Sequence, residues 1–299
     1  MSQPWRGIFP IVVTPFTEAG AVDETSLQRV VRFCIEAGAR GLVGPANASE
    51  FTTLSDAERR RWLEVVVETA AGEIPVVASV TSGHAFPAAA LAQHAQEVGA
   101  DGVMAMPPPI LHPDADGCFR YYQALDERLS LPICVQNFSA PVGTPMAPAL
   151  LARLCNTLER VEYIKEETIP EPQRLSETIA AAGAACRGVM GGQGGIYLLN
   201  EYPRGAVGNM PSCHTVDIFA RIWDRLEAGA SDEARALFNR LLPLINHERL
   251  YGVEIYKLVL VRRGIIASPA MRAPAPGLDR YDREELEHIL AGVESLYVI

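Results

Sequence analysis

Lysine occurs only twice in the chain, at Lys165 and Lys257. The first lies in VEYIKEET (161–168), a β-branched and aromatic run that closes in carboxylates. Read as a strand, this run alternates faces, so Tyr163, Lys165 and Glu167 share one side while Ile164 and Glu166 share the other. Taking a lysine out of water favours the neutral amine, which is the form that attacks a ketone to make a Schiff base. The plain alternative is a strand-end lysine paired at the surface with Glu166 or Glu167. The octapeptide alone leaves that choice open.

The surrounding elements bear on it. GIFPIVVTPF (7–16) reads as a strand, and DETSLQRVVRFCIEAG (23–38) as a helix with Leu27, Val30, Val31, Cys34 and Ile35 at helical spacing. GARGLVGPAN (38–47) restarts a strand, and SDAERRRWLEVVVETAAG (55–72) opens with a Ser55/Glu58 capping box. The alternation continues through strands at 74–81, 99–109, 131–138, 161–168, 186–195 and 205–212, with helices at 86–99, 117–129, 147–158, 170–183 and a short one at 196–204. About eight β-then-α units with apolar, non-alternating strands predict a parallel sheet covered on both faces, closed into a (β/α)8 TIM barrel. An open doubly wound sheet is the alternative. After residue 212 the strand signal stops, and helices are expected at 216–229, 232–248, 253–264 and 283–295, with a proline-rich connector at 272–281. The expected organisation is a barrel over 1–212 and a C-terminal helical appendage over 213–299.

Barrel enzymes carry their chemistry at the C-terminal ends of the strands. The residues closing the apolar runs, and so the candidates for substrate contact, are Asn47, Ala48, Ser49, Gln136, Asn137, Gln193 and Met210. PANASEF (45–51) offers backbone N–H groups and the side chains of Asn47 and Ser49 to a carboxylate, or is an ordinary turn. Gln136 and Asn137 are either hydrogen-bond donors to a polar substrate or a satisfied pair at the rim. GGQGG (191–195) lacks the GKS/T ending of a phosphate loop and reads as clearance for a substrate or as a turn. The six histidines form no triad and no metal-ligand spacing, so no metal is expected; Asn246 and His247 in LINHE (244–248) are unusual inside an apolar helix.

Composition sets the outer bounds. Hydrophobic residues make up 48% and charged residues 21%, enough for one sizeable core in a soluble protein. The net charge of −10, with no basic run, argues against nucleic acid or an anionic membrane as partner. Six scattered cysteines without a CxxC pair fit reduced thiols. With no basic segment leading into a long apolar stretch at the N-terminus, and no apolar run near the ~20 residues of a membrane span, the expected location is the cytoplasm.

The opening GIFPIVVTPF, the turn before Glu50 followed by LSDAER, the lysine in YIKEE and GAVGNM (205–210) together resemble the dihydrodipicolinate synthase/N-acetylneuraminate lyase superfamily over nearly the whole chain. That resemblance implies class I Schiff-base lyases on a (β/α)8 barrel, commonly homotetramers, acting on pyruvate or other 2-keto acids without metal or organic cofactor. It implies that Lys165 is the Schiff-base lysine. Two departures stand out. ANASE places Asn47 and Ala48 where the family's GTTGE turn has carboxylate-binding threonines, and Gln136 stands where a tyrosine precedes the asparagine that closes strand five. That tyrosine relays protons in condensation and retro-aldol cleavage. Its replacement, with MAMPP (104–108), CVQN (134–137), KEET (165–168), LINHE and GIIASPAMRAPAPGL (264–278), resembles the branch that dehydrates 2-keto-3-deoxy sugar acids such as L-2-keto-3-deoxyarabonate. In that reading Glu167 is the acid/base, because it shares a face with Lys165 about 7 Å along the strand. A pyruvate-dependent aldolase or synthase is the nearest alternative, and a barrel that binds keto acids without turnover is the alternative from another class.

Overall fold

A computed structural model of the chain describes residues 4–139 and 142–299; the first three residues of the opening segment lie outside them. Eight strands alternate with helices: β1 (Gly7–Ile8), β2 (Leu42–Gly44), β3 (Val76–Ser79), β4 (Gly102–Ala105), β5 (Ile133–Phe138), β6 (Val161–Glu167), β7 (Gly188–Gly191) and β8 (Gly208–Asn209). They form one sheet whose order follows the chain. Consecutive order belongs to a (β/α)8 barrel, whereas a doubly wound sheet reverses direction partway. The fold is therefore the (β/α)8 barrel with C-terminal helices that the alternation predicts.

The chain divides into two compact units that are discontinuous in sequence. The first comprises residues up to Arg6, Pro75–Gln193 and Tyr197–Met210. It contains β3 to β8, each parallel to the next. Strand β6 is buried on both faces from Tyr163 to Glu167, which is why its apolar residues do not simply alternate with exposed polar ones. At the start of β6, Tyr163 stacks on Trp5 with ring centroids 4.3 Å apart, and its hydroxyl accepts the Trp5 N–H.

The second unit comprises Gly7–Ile74, Gly194–Ile196 and Pro211–Ile299. It holds β1, β2, the helices Glu24–Glu36 and Asp56–Ala70, and the C-terminal helices Val216–Glu227, Ser231–Tyr251, Val253–Arg262 and Arg280–Val293. The residue 212/213 division suggested by the loss of strand signal falls inside this unit. The Ser55/Glu58 capping box is present as the spacing predicts, with the Glu58 N–H donating to Ser55 Oγ at 3.2 Å and the Ser55 N–H to Glu58 Oε2 at 2.9 Å. The expected strand at 7–16 is shorter than its apolar run. Only Gly7–Ile8 forms a strand, with isolated bridges from Ile11 to Val43 and Ser212 and from Phe16 to Val22, because Pro10 and Pro15 have no N–H to give a ladder. All six cysteines are free thiols.

Candidate active site

Strand β6 presents Lys165 level with Gln136 of β5 on one side and Met190 of β7 on the other. Parallel partners in register share a face, so Gln136, Lys165 and Glu167 converge. Lys165 Nζ lies 3.2 Å from Glu167 Oε2, and both side chains are buried. Gln136 Nε2 donates to that same Oε2 at 2.8 Å. The ion pair offered above as the plain alternative thus exists, but in the interior. Glu167 is the only polar partner of Lys165 Nζ among the described residues.

The other carboxylate oxygen is held from the turn after β7. Gln193 donates its backbone N–H to Glu167 Oε1 at 2.9 Å and its side-chain amide to the Glu167 carbonyl at 3.0 Å. To do so Gln193 takes a left-handed φ of 45°, a conformation costing a non-glycine residue on the order of 1 kcal/mol. Gly192 makes room: a Cβ there would lie 2.2 Å from Glu167 Oε1. The glycine cluster, expected to clear a substrate or to form a turn, thus makes room for a carboxylate. Met210, buried, donates its N–H to the Gly191 carbonyl at 3.0 Å.

Asn137, one residue beyond Gln136, belongs to the opposite face. Its Nδ2 donates to both oxygens of Glu166, at 3.1 and 2.9 Å, and to the Met146 carbonyl at 3.1 Å; its Oδ1 accepts the Met146 N–H at 2.8 Å. The amide is consumed by the scaffold, so Asn137 does not join Gln136 and Lys165. Burial raises the Glu166 carboxyl, and bonds from Thr168, Asn137 and Thr178 pull the other way.

Asn47, Ala48 and Ser49 form a single 3-10 turn in the second unit. The Ser49 hydroxyl, expected as a side-chain donor to substrate, donates instead to the Val12 carbonyl and accepts the Ala46 N–H. It braces the turn. Asn47 and Ala48 are half-buried, and neither N–H is bonded among the described residues. Glu50, which closes the turn at φ 54°, accepts from Lys257 Nζ at 2.6 Å and from the N–H groups of Arg272 and Ala273 at 2.9 and 2.7 Å. In LINHE, Glu248 pairs with His214 at 2.7 Å, so part of that polar cluster is a buried structural contact.

Two buried carboxylates, Glu171 and Glu201, were not among the sequence candidates. Glu171 Oε1 accepts the Gly192 N–H at 2.8 Å and Glu201 Oε2 accepts Asn209 Nδ2 at 2.9 Å. Each opens or closes a helix, Glu171–Ala182 and Leu198–Glu201, where an acid ordinarily reads as solvent-facing. The glycine pair at 191–192 was the available signal.

The model of the dihydrodipicolinate synthetase family matches residues 4–292. L-2-keto-3-deoxyarabonate dehydratase from Azospirillum brasilense is 36% identical over 296 residues, covering 97% of this chain and 95% of that protein. 4-Hydroxy-tetrahydrodipicolinate synthase from Agrobacterium fabrum is 32% identical over 295 residues, covering 95% and 98%. The structure of dihydrodipicolinate synthase from Rhodopseudomonas palustris superposes with a TM-score of 0.89 at 27% identity, covering 96% of this chain and 97% of that one. With the fold, the family model and relatives above 30% identity agreeing along nearly the full length, the chain belongs to the dihydrodipicolinate synthetase family.

Proposed function

We propose that this chain is a class I Schiff-base hydro-lyase that dehydrates a 2-keto-3-deoxy sugar acid, with L-2-keto-3-deoxyarabonate as substrate and 2-oxoglutarate semialdehyde as product. The observation that carries the reading is the Gln136–Glu167–Lys165 cluster. Where the family resemblance leads one to expect a tyrosine beside the lysine, a glutamine amide instead fixes a carboxylate 3.2 Å from the amine. The 36% identity to a dehydratase of that substrate supports the same choice.

Lys165 Nζ attacks the C2 ketone, and loss of water gives an iminium that makes C3 acidic. Glu167 removes the C3 proton, and the electron pair returns to nitrogen as an enamine. The enamine expels the C4 hydroxyl, which leaves as water with the proton now on Glu167. Tautomerisation turns the C5 alcohol into an aldehyde, and hydrolysis frees Lys165 and the 2-keto semialdehyde. Gln136 and Gln193 hold the two oxygens of Glu167 throughout, which is the preorganisation such proton transfers need.

Incubation with a panel of 2-keto-3-deoxy sugar acids tests this. A single dehydrated product supports the reading, and pyruvate plus an aldehyde supports the retro-aldol alternative. The same reading carries the homotetramer implied by the resemblance; light scattering gives four chain masses if it holds and one if it does not.

A further inference from the structure

Glu171 and Glu201 are both completely buried, and the reaction as written does not use them. Each has one oxygen satisfied, by Gly192 and by Asn209. The remaining oxygens, Glu171 Oε2 and Glu201 Oε1, are buried without a donor among the described residues, and the two carboxyl groups are close enough to act on one another. An ionised carboxylate only accepts, so a bond between two carboxyl groups needs a proton on one of them. One shared proton satisfies both orphan oxygens at once. Burial, first, and then mutual repulsion push Glu171 above the ordinary carboxylate range, and burial does the same to Glu201. The backbone is shaped to admit the pair: a Cβ on Gly191 would lie 2.0 Å from Glu201 Oε2.

We propose that Glu171 and Glu201 are positioning residues that hold one proton between them, locking the Gly191–Gly192–Gln193 turn whose Gln193 N–H aims Glu167 Oε1. This rests on the reading of Glu167 as the acid/base. The charged groups facing the pair are Glu167 of β6, which acts on both members electrostatically, and Lys165 behind Glu167. With its proton the pair carries one negative charge. Losing that proton adds a second beside Glu167 and breaks the bridge, so turnover falls on the alkaline side.

Glutamine substitution separates a shared proton from mere packing. In Glu171→Gln the amide oxygen still accepts from Gly192 while its NH2 donates to Glu201; Glu201→Gln does the converse with Asn209. In the double variant both oxygens are already used and two NH2 groups oppose each other. The unmodified enzyme is expected to show an alkaline inflection in kcat, and each single variant is expected to lose it. The double variant is expected to lose about tenfold or more in kcat beyond the product of the singles, the scale of a lost hydrogen bond to a charged group. A second measurement needs no substrate. The infrared band of a buried protonated carboxyl group is expected at neutral pH in the unmodified protein and should disappear in either single variant. If the proposed reaction fails but this band behaves so, the shared proton stands and the assignment of Glu167 falls. A band that persists in both singles, its absence from the unmodified protein, or a double variant equal to the product of the singles overturns the proposal.

Discussion

The two lysines make an instructive pair, because both are buried and both face a glutamate. Lys257 Nζ donates to Glu50 and to the Ala270 carbonyl, at 2.6 and 2.7 Å, and lies 4.3 Å from the centre of the Phe16 ring. Its glutamate is equally occupied, with two backbone N–H groups on the second oxygen. Lys165 has one described partner, at 3.2 Å, and that partner is aimed by amides from strand β5 and from the turn after β7. If Lys165 is the nucleophile proposed here, burial beside a carboxylate does not distinguish it from a structural ion. The distinction lies in how much of the ammonium's hydrogen-bonding capacity is already spent. Burial lowers the Lys257 pKa, and the Glu50 contact offsets it.

Exchanging each lysine for methionine breaks the comparison most severely. Lys165→Met should abolish turnover and all borohydride trapping of a keto acid, while its urea midpoint stays near that of the unmodified protein, since each oxygen of Glu167 keeps an amide donor, whereas Glu50 Oε1 has only Lys257 among the described residues. Lys257→Met should lose about 3 kcal/mol of stability, the usual cost of stripping one partner from a buried pair, and whatever remains folded should still trap the keto acid at Lys165. Equal stability losses in the two variants would contradict the contrast. Next in size is Gln136→Ala. Removing a hydrogen bond to a charged group costs on the order of 2 kcal/mol, so kcat should fall roughly thirtyfold by that free energy, with trapping retained; steady-state kinetics beside a trapping assay checks this.

The smallest effect is one of pH, in the second unit. Arg272, whose N–H supports Glu50, also grips Glu58 and holds its carboxyl down from 4.5 to about 2. A folded-state value depressed in this way contributes stability that is present above the unfolded value of 4.5 and lost as pH falls through about 2. Urea midpoints should therefore decline across that window, and Glu58→Gln should flatten the decline. No change in slope would remove Glu58 from the supports of the Lys257 arrangement.

Much of this contrast is legible in the sequence. The period of two in VEYIKEET put Lys165 and Glu167 on one face, and the Ser55/Glu58 spacing announced its helix. The same period puts Gln136 and Asn137 on opposite faces, but only the β5–β6 register shows which of them stands level with Lys165. Ser49 looked like a donor to substrate because nothing in ANASE reveals that the Val12 carbonyl claims its hydroxyl. Glu171 and Glu201 were invisible for a different reason. Acids at helix ends are ordinarily solvated, and theirs are buried by the close approach of a glycine backbone distant in sequence. The two compact units mix early and late segments, which a reading along the chain does not reveal.

The proposed reaction depends above all on a division of labour within β6, with Lys165 forming the covalent bond and Glu167 moving the proton. Glu167→Gln tests it when two readouts are taken on one sample: borohydride trapping of pyruvate, and exchange of the pyruvate methyl protons in deuterated water. The account predicts trapped mass at Lys165 in yield close to that of the unmodified protein, with C3 exchange slowed about 100-fold or more, the scale of a lost general base. Exchange at the unmodified rate, or loss of trapping in a folded protein, would contradict it.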